Sequence, residues 1–181
     1  MKHINIEIKA RCSKEHQDEI RNYLNNNNAK FIGIDNQTDT YFKVPKGRLK
    51  LRKGNIENSL IYYRRKDEKD SKQSNVIIFK RDYCQFDNLE DMVRQMHEVI
   101  VTVDKKREIY FIDNVKFHID EVKDLGNFIE IEAISENDSL PIEKIKEQCN
   151  QYKNIFNIKD KDLISESYSD MLLNQKQLKL K

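Results

Sequence analysis

Three short segments place ionisable side chains at every second position: Asn5-Ile6-Glu7-Ile8-Lys9, Lys116-Phe117-His118-Ile119-Asp120 and Glu130-Ile131-Glu132. Successive side chains of a strand point to opposite faces. As strands, these segments present Glu7 with Lys9, His118 with Asp120, and Glu130 with Glu132 as rows, with aliphatic residues on the reverse face. The carboxylates Glu7, Asp120, Glu130 and Glu132 are hard oxygen donors. Such donors suit Mg²⁺ or Mn²⁺, which commonly bind through one or two carboxylates plus substrate phosphates. A second population is basic: Lys9, Lys50, Arg52, Arg64, Lys80, Lys105 and Arg107. Arginine forks and lysine point charges match phosphate oxygens. Together the two populations describe a metal-assisted polyphosphate site, in which fixed cations stabilise the charge that develops during phosphoryl transfer. A half-exposed sheet would show the same alternation with its charges in solvent. The recurrence of the pattern with both signs favours a site.

The elements that must position these rows are mostly strands. Alternation is strict from Ile4 to Ala10, after which Ser13 offers a helix N-cap and Ile20, Tyr23 and Leu24 form one apolar stripe. The four asparagines from Asn25 to Asn28 end that helix. Strand signals return at Ala29 to Ile34, Thr38 to Val44, Arg48 to Arg52 and Leu60 to Lys66. A charged loop from Asp67 to Ser74 then leads to a strand from Val76 to Tyr83. Asn88 to His97 carries helical spacing. Val99 to Val103, Arg107 to Ile112, Val115 to Val122 and Phe128 to Ile134 read as further strands, with Asp113-Asn114 as a tight hairpin. Pro141 is placed as the first residue of a helix whose stripe is Ile142, Ile145, Cys149, Tyr152 and Phe156. A short helix over Ser167 to Leu173 closes a single domain spanning residues 1–174, and residues 175–181 are expected to form a flexible tail.

Eight or nine strands joined mainly by short turns imply an antiparallel sheet that closes or nearly closes. Closure creates an interior, which small barrels fill with side chains or one small ligand. With the charged rows inward, the aliphatic rows would face the helices. The inverse arrangement would leave the isoleucines and phenylalanines as an ordinary core.

Composition bounds the function. The chain has 181 residues, enough for one substantial core. Hydrophobic residues make up 38% and charged residues 35%, low and high for a globular protein, as expected if charge is buried around a ligand. With 33 basic and 31 acidic residues the net charge is +2, so no global field draws nucleic acid. The basic-aromatic run Tyr62-Tyr63-Arg64-Arg65-Lys66 is weighed down in the same way by the carboxylate rows. Cys12, Cys84 and Cys149 are widely spaced and have no zinc-ligand pattern, and they are expected to be reduced thiols of a cytoplasmic protein. No apolar leader and no stretch of membrane-spanning length occurs. Neither a Gly-x-x-x-x-Gly-Lys-Ser/Thr loop nor a Gly-x-Gly-x-x-Gly fingerprint is present, so phosphates must be held by side chains.

In order along the chain, these residues resemble the CYTH, or triphosphate tunnel metalloenzyme, superfamily. Asn5-Ile6-Glu7-Ile8-Lys9 is similar to its Glu-x-Glu-x-Lys signature. The match continues through Gln37-Thr38-Asp39-Thr40-Tyr41-Phe42, Gly47 to Arg52, Lys105-x-Arg107, His118 to Val122 and Leu125-Gly126-x-Phe128-x-Glu130-x-Glu132. Ser167-Tyr168-Ser169-Asp170-Met171-Leu172 resembles the closing segment of the class IV adenylyl cyclase branch. The resemblance implies a mainly β, α+β fold: a closed antiparallel eight-stranded barrel flanked by helices. It implies Glu7, Asp120, Glu130 and Glu132 around Mg²⁺ or Mn²⁺, and Lys9, Lys50, Arg52, Arg64, Lys80, Lys105 and Arg107 on the phosphates. Glu7, Lys9, Arg107 and Asp120 are the residues expected to act in catalysis. For Arg64 and Lys80 the register could slip by one, to Arg65 or Arg81.

The implied activity is conversion of ATP to cyclic AMP and pyrophosphate, with no nucleic-acid or membrane partner and with a homodimer left open. Hydrolysis of inorganic, thiamine or nucleoside triphosphate is the alternative within the fold. A non-catalytic sensor of phosphorylated metabolites is the alternative outside enzymology. Asn5 departs from the motif: an amide keeps an oxygen acceptor but loses the negative charge. His118 reads equally as a structural histidine or a substrate contact, and Tyr41, Tyr62 and Tyr63 read as strand packing.

Overall fold

The computed structural model describes residues 3–65, 72–80, 86–136 and 139–179. Eight strands form the fold: β1 (His3–Arg11), β2 (Lys30–Phe42), β3 (Arg48–Lys53), β4 (Ser59–Arg65), β5 (Lys72–Lys80), β6 (Val99–Ile112), β7 (Val115–Val122) and β8 (Gly126–Glu136). Four helices accompany them: α1 (Lys14–Asn26), α2 (Phe86–Met96), α3 (Ile142–Ile155) and α4 (Tyr168–Lys179). Every neighbouring pair is antiparallel, and the order β1-β5-β4-β3-β2-β6-β7-β8 returns to β1, closing the barrel. The seam that closes the ring is short, pairing Ile4 to Glu7 of β1 with Lys72 to Asn75 of β5.

Two long strands replace pairs of shorter ones expected from the sequence. β2 runs unbroken through Asp35-Asn36-Gln37 with a bulge at Gly33, and β6 runs through Asp104-Lys105-Lys106. These polar runs look like loops only if polar residues need solvent. Here Asp35, Gln37 and Lys105 are buried inside the barrel and find partners there. β5 begins at Lys72, so the end of the expected charged loop is strand. The rest of that loop and Cys84 lie outside the described residues. Ser13 caps α1, accepting a hydrogen bond from the His16 N–H at 3.2 Å. Pro141 is the cap residue before α3, one position earlier than expected. α4 continues to Lys179, so most of the segment expected as a flexible tail is helix.

The aliphatic rows face outward onto helices. Ile6, Ile8, Phe117, Ile119, Ile129 and Ile131 pack with Ile20 and Leu24 of α1 and Ile145 and Cys149 of α3. Gln17 fastens α1 to the sheet by donating to the Asp120 and Phe128 carbonyls at 3.0 and 3.1 Å. α2 covers the outer face of β3 through Val93, Phe42 and Leu51. One end of the barrel is different. Tyr41, Val101, Val103, Val122 and Phe128 share the alternation of the inward rows, and they pack against Tyr168, Met171 and Leu172 of α4. The helix thus stoppers that end.

Because the main core lies between sheet and helices, Ile145→Ala is expected to cost about 2–5 kcal/mol. Ile77→Thr, at a side chain 68% exposed on β5, is expected to change stability by no more than about 0.5 kcal/mol. Urea unfolding of both variants checks the ordering.

Candidate functional site

Inside the barrel lies a cavity of about 1340 Å³. Among the described residues seven bases and five carboxylates line it, and they are sorted by strand. On β2, β3 and β6, which are adjacent in the ring, the bases gather on Asp39. Its carboxylate accepts from Lys50 Nζ at 2.8 Å, Arg52 Nε and Nη2 at 2.8 and 3.0 Å, and Lys105 Nζ at 2.7 Å. Burial alone would raise this carboxyl, but Arg52, Lys105 and Lys50 hold it well below the usual range. The Lys105 ammonium is 1% exposed. Burial, with Arg52, Arg107 and Lys50 around it, pushes its pKa down to about 7 against the pull of Asp39.

The opposite wall, β8 and β1, is acidic. Glu7 and Glu132 are cross-strand partners, as are Lys9 and Glu130. Glu130 collects Lys9 at 3.1 Å, Arg107 Nη2 at 2.6 Å and His118 Nδ1 at 3.1 Å. Burial works against its ionisation, yet Arg107 and Lys9 hold it well below the ordinary carboxylate range. His118 is buried and its pKa is lowered by burial first, then by Arg107 and Lys116. A neutral ring donating Nδ1–H to Glu130 leaves Nε2, which has no hydrogen-bond partner, as an acceptor at the cavity wall. The Lys9 ammonium sits 4.0 Å from the Tyr168 ring centroid, a cation–π contact.

Of the residues expected from the sequence, Glu7, Lys9, Lys50, Arg52, Lys80, Lys105, Arg107, Glu130 and Glu132 line this one cavity. Two do not. Asp120 is wholly buried behind the wall. It accepts from Arg107 Nε and Nη2 at 2.7 and 2.5 Å and from the Tyr168 hydroxyl at 2.8 Å. It is therefore an anchor for Arg107, not an open ligand. Arg64 is exposed, and its Nε donates to the Tyr62 hydroxyl at 2.8 Å. On β4 the inward set is Ser59, Ile61 and Tyr63, so period-two alternation puts Arg64 on the outer face; the side chain of Arg65 lies outside the described residues.

Sequence reasoning missed four contributors. Asp39 lies within the segment Gln37 to Phe42, whose pattern gives it no role of its own. Lys116 continues the row of His118 and Asp120, and the same alternation would have found it. Tyr168 was seen as part of the closing segment only. Glu57 had no such signal, because it lies in the β3–β4 connection. It accepts from Arg52 Nη1 at 2.7 Å and Lys116 Nζ at 2.6 Å. Asp35 holds it there by accepting from the Ile56 and Glu57 backbone N–H groups, both at 2.9 Å. Gly54 permits that approach: a Cβ at this position would meet Asp35 Oδ1 at 2.5 Å.

The acidic wall fits a divalent cation. Glu7, Glu132 and Asn5 offer hard oxygens on two adjacent strands, and Asn5 Oδ1 is buried with no hydrogen-bond partner. The Asn5 amide meanwhile donates to Glu132 Oε1 at 2.5 Å. Among the described residues no three His, Cys, Asp or Glu side chains converge on one point. An ion here would draw on few protein ligands and leave positions for phosphate oxygens, the usual habit of Mg²⁺.

The fold has known counterparts. The PH1012 protein from Pyrococcus horikoshii OT3 superposes with a TM-score of 0.76 at 28% identity, covering 92% of this chain and 98% of that one. A protein described as a candidate adenylate cyclase from Vibrio parahaemolyticus gives 0.75 at 20% identity, covering 93% and 97%. The Schizosaccharomyces pombe Pct1 RNA triphosphatase gives 0.50 at 10% identity, covering 98% and 80%. No curated protein sequence matches the chain. The CYTH domain model matches residues 3–168. That span runs from the first acidic row through every strand of the barrel to Tyr168, and it places this chain in the CYTH domain family.

Proposed function

We propose that the barrel binds the triphosphate of a nucleoside triphosphate together with Mg²⁺ or Mn²⁺, and that the chain is an enzyme of the class IV adenylyl cyclase type. One observation carries this reading: bases on β3 and β6 line the same cavity inside the barrel as carboxylates on β8 and β1. A polyphosphate chain bound with a divalent cation requires both. The apolar wall formed by Ile61, Ile78, Phe111 and Ile134 gives a nucleoside a surface that inorganic triphosphate would not use. Resemblance to the candidate Vibrio cyclase points the same way.

In the cyclisation the ribose 3′ hydroxyl attacks the α-phosphorus in line and pyrophosphate departs. Lys50, Arg52, Lys105 and Arg107 neutralise the charge that accumulates on the leaving group, where preorganised donors contribute most. Glu130 fixes Lys9 and Arg107, and Asp120 fixes Arg107 from behind. Glu7 and Glu132, with the Asn5 amide oxygen, would hold the cation, and Glu130 would approach it from the next position on β8. When bound, that ion supplies Lewis acidity to the phosphoryl oxygens and acidifies the attacking hydroxyl.

Incubation with ATP, GTP, tripolyphosphate or thiamine triphosphate in Mn²⁺, with cyclic nucleotide and phosphate both measured, is expected to yield cyclic AMP and pyrophosphate from ATP. Phosphate without cyclic AMP would replace cyclisation with hydrolysis, and binding without turnover would identify a sensor. Glu7→Ala and Glu130→Ala are each expected to lower kcat/KM at least about tenfold, or about 1.4 kcal/mol. Arg64→Ala should stay within about twofold, a difference of about 0.4 kcal/mol. Steady-state kinetics of the three variants would expose a misplaced site if Arg64→Ala were the damaging change. Asn5→Glu adds a third carboxylate beside Glu7 and Glu132, so like-charge repulsion should lower the metal-free Tm while Mn²⁺ affinity rises. Thermal unfolding with and without Mn²⁺, and direct Mn²⁺ titration, read the two effects separately.

A further inference from the structure

Asp39 occupies the position of an anion among the cations expected to hold phosphate. It is 2% exposed, and four charge-assisted hydrogen bonds from three bases converge on it. The bases come from two different strands, Lys50 and Arg52 from β3 and Lys105 from β6, and each would otherwise repel the others. Lys105 is the most dependent. From β2 it faces Asp39, with Gln37 as its cross-strand partner. From β3 it faces Lys50 and Arg52, from its own strand Arg107, and from β7 the apolar Val122. Asp39 is therefore the carboxylate that compensates an ammonium with almost no solvent. A buried ammonium among like charges deprotonates when its counter-ion is removed.

We propose that Asp39 is a positioning residue for anion binding: it collects Lys50, Arg52 and Lys105 around one carboxylate, keeps Lys105 charged, and presents the three cations to the incoming polyphosphate. This rests on the reading of the cavity as a polyphosphate site. Lys105 supplies a point charge to the anion only in its ammonium form, so affinity should fall as pH rises through its pKa of about 7 in the free protein. The sign follows from protonation. The group is charged below that pH and loses its attraction for phosphate above it.

Isothermal titration calorimetry with tripolyphosphate in excess Mg²⁺, on the full chain between about pH 5 and 9, spans the relevant titration. The ligand's own protonation is common to all variants and cancels between them. Wild-type affinity is expected to break downward near neutrality, losing up to about tenfold per pH unit as one charge is titrated. In Asp39→Asn the break should move to lower pH by about one unit, whereas Asp39→Glu should return it towards the wild-type position. Lys105→Arg should abolish the break, since a guanidinium stays charged throughout. A break that persists in Lys105→Arg overturns the inference even if Asp39→Asn fails to fold. An unmoved break in folded Asp39→Asn also overturns it, while leaving the polyphosphate reading intact. Absence of tripolyphosphate binding at every pH would overturn that parent reading and this inference with it.

Discussion

The interior of this barrel is charged, and a charge taken out of water must meet its opposite at hydrogen-bonding distance or cost several kcal/mol. Strand register arranges the meetings. Glu130 is the cross-strand partner of Lys9 on one side and of His118 on the other, Asp120 is opposite Arg107, and Asp39 is opposite Arg52. Each of these four pairs is also a register pair of the sheet. A slip of one residue in any of these strands would turn its ions towards the helices and its isoleucines into the cavity. The electrostatics of the site and the topology of the sheet are consequently a single constraint.

The apolar core then has to be built elsewhere. It lies outside the sheet, where α1 and α3 cover the rows of Ile6, Ile8, Ile129 and Ile131. Inside the barrel a second apolar cluster fills the end stoppered by α4. This division accounts for a chain with 38% hydrophobic and 35% charged residues that still folds around a large core. Tyr168 joins the two regimes. Its ring packs on Phe128 with centroids 4.9 Å apart, its hydroxyl donates to Asp120, and its face lies against the Lys9 ammonium. The apolar stopper and the charged site therefore meet at Tyr168, as they do at Tyr41, which belongs to the same cluster and also lines the cavity.

Much of this was legible in the chain because a strand writes its two faces as odd and even positions. The inward rows Glu7 with Lys9, Lys50 with Arg52, Lys105 with Arg107, and Glu130 with Glu132 could be named from alternation alone. Alternation does not say how deep a residue sits. Asp120 belongs to the inward set, but whether it reaches the cavity or lies behind Arg107 depends on which bases converge on it from β6 and on the arrival of Tyr168 from the distant α4. Arg64 failed for a related reason: Tyr62-Tyr63-Arg64-Arg65 offers polar and aromatic residues at both parities, so the pattern does not identify the inward face. Glu57 was beyond reach, since its placement depends on Asp35 binding the backbone of a connection twenty residues downstream. Polar runs in β2 and β6 read as breaks because a sequence does not reveal that the inside of the sheet is the polar side.

Asn5 gives the acidic wall its particular balance. Glu7 and Glu132 face each other across β1 and β8, and Lys9 reaches Glu7 only at 3.9 Å while being closer to Glu130. A third carboxylate at position 5 would add like charge beside Glu7 and Glu132, which is costly without a cation and favourable with one. The amide has a different effect. Its N–H neutralises part of the Glu132 charge through a short hydrogen bond, and its carbonyl oxygen remains available to a hard cation. An amide at this position therefore adds less repulsion to Glu7 and Glu132 than a carboxylate would, and a cation drawn to this wall would meet less negative charge. Under the proposed function, phosphate oxygens would then supply a larger share of the coordination, which would link the acidic wall to the basic wall opposite.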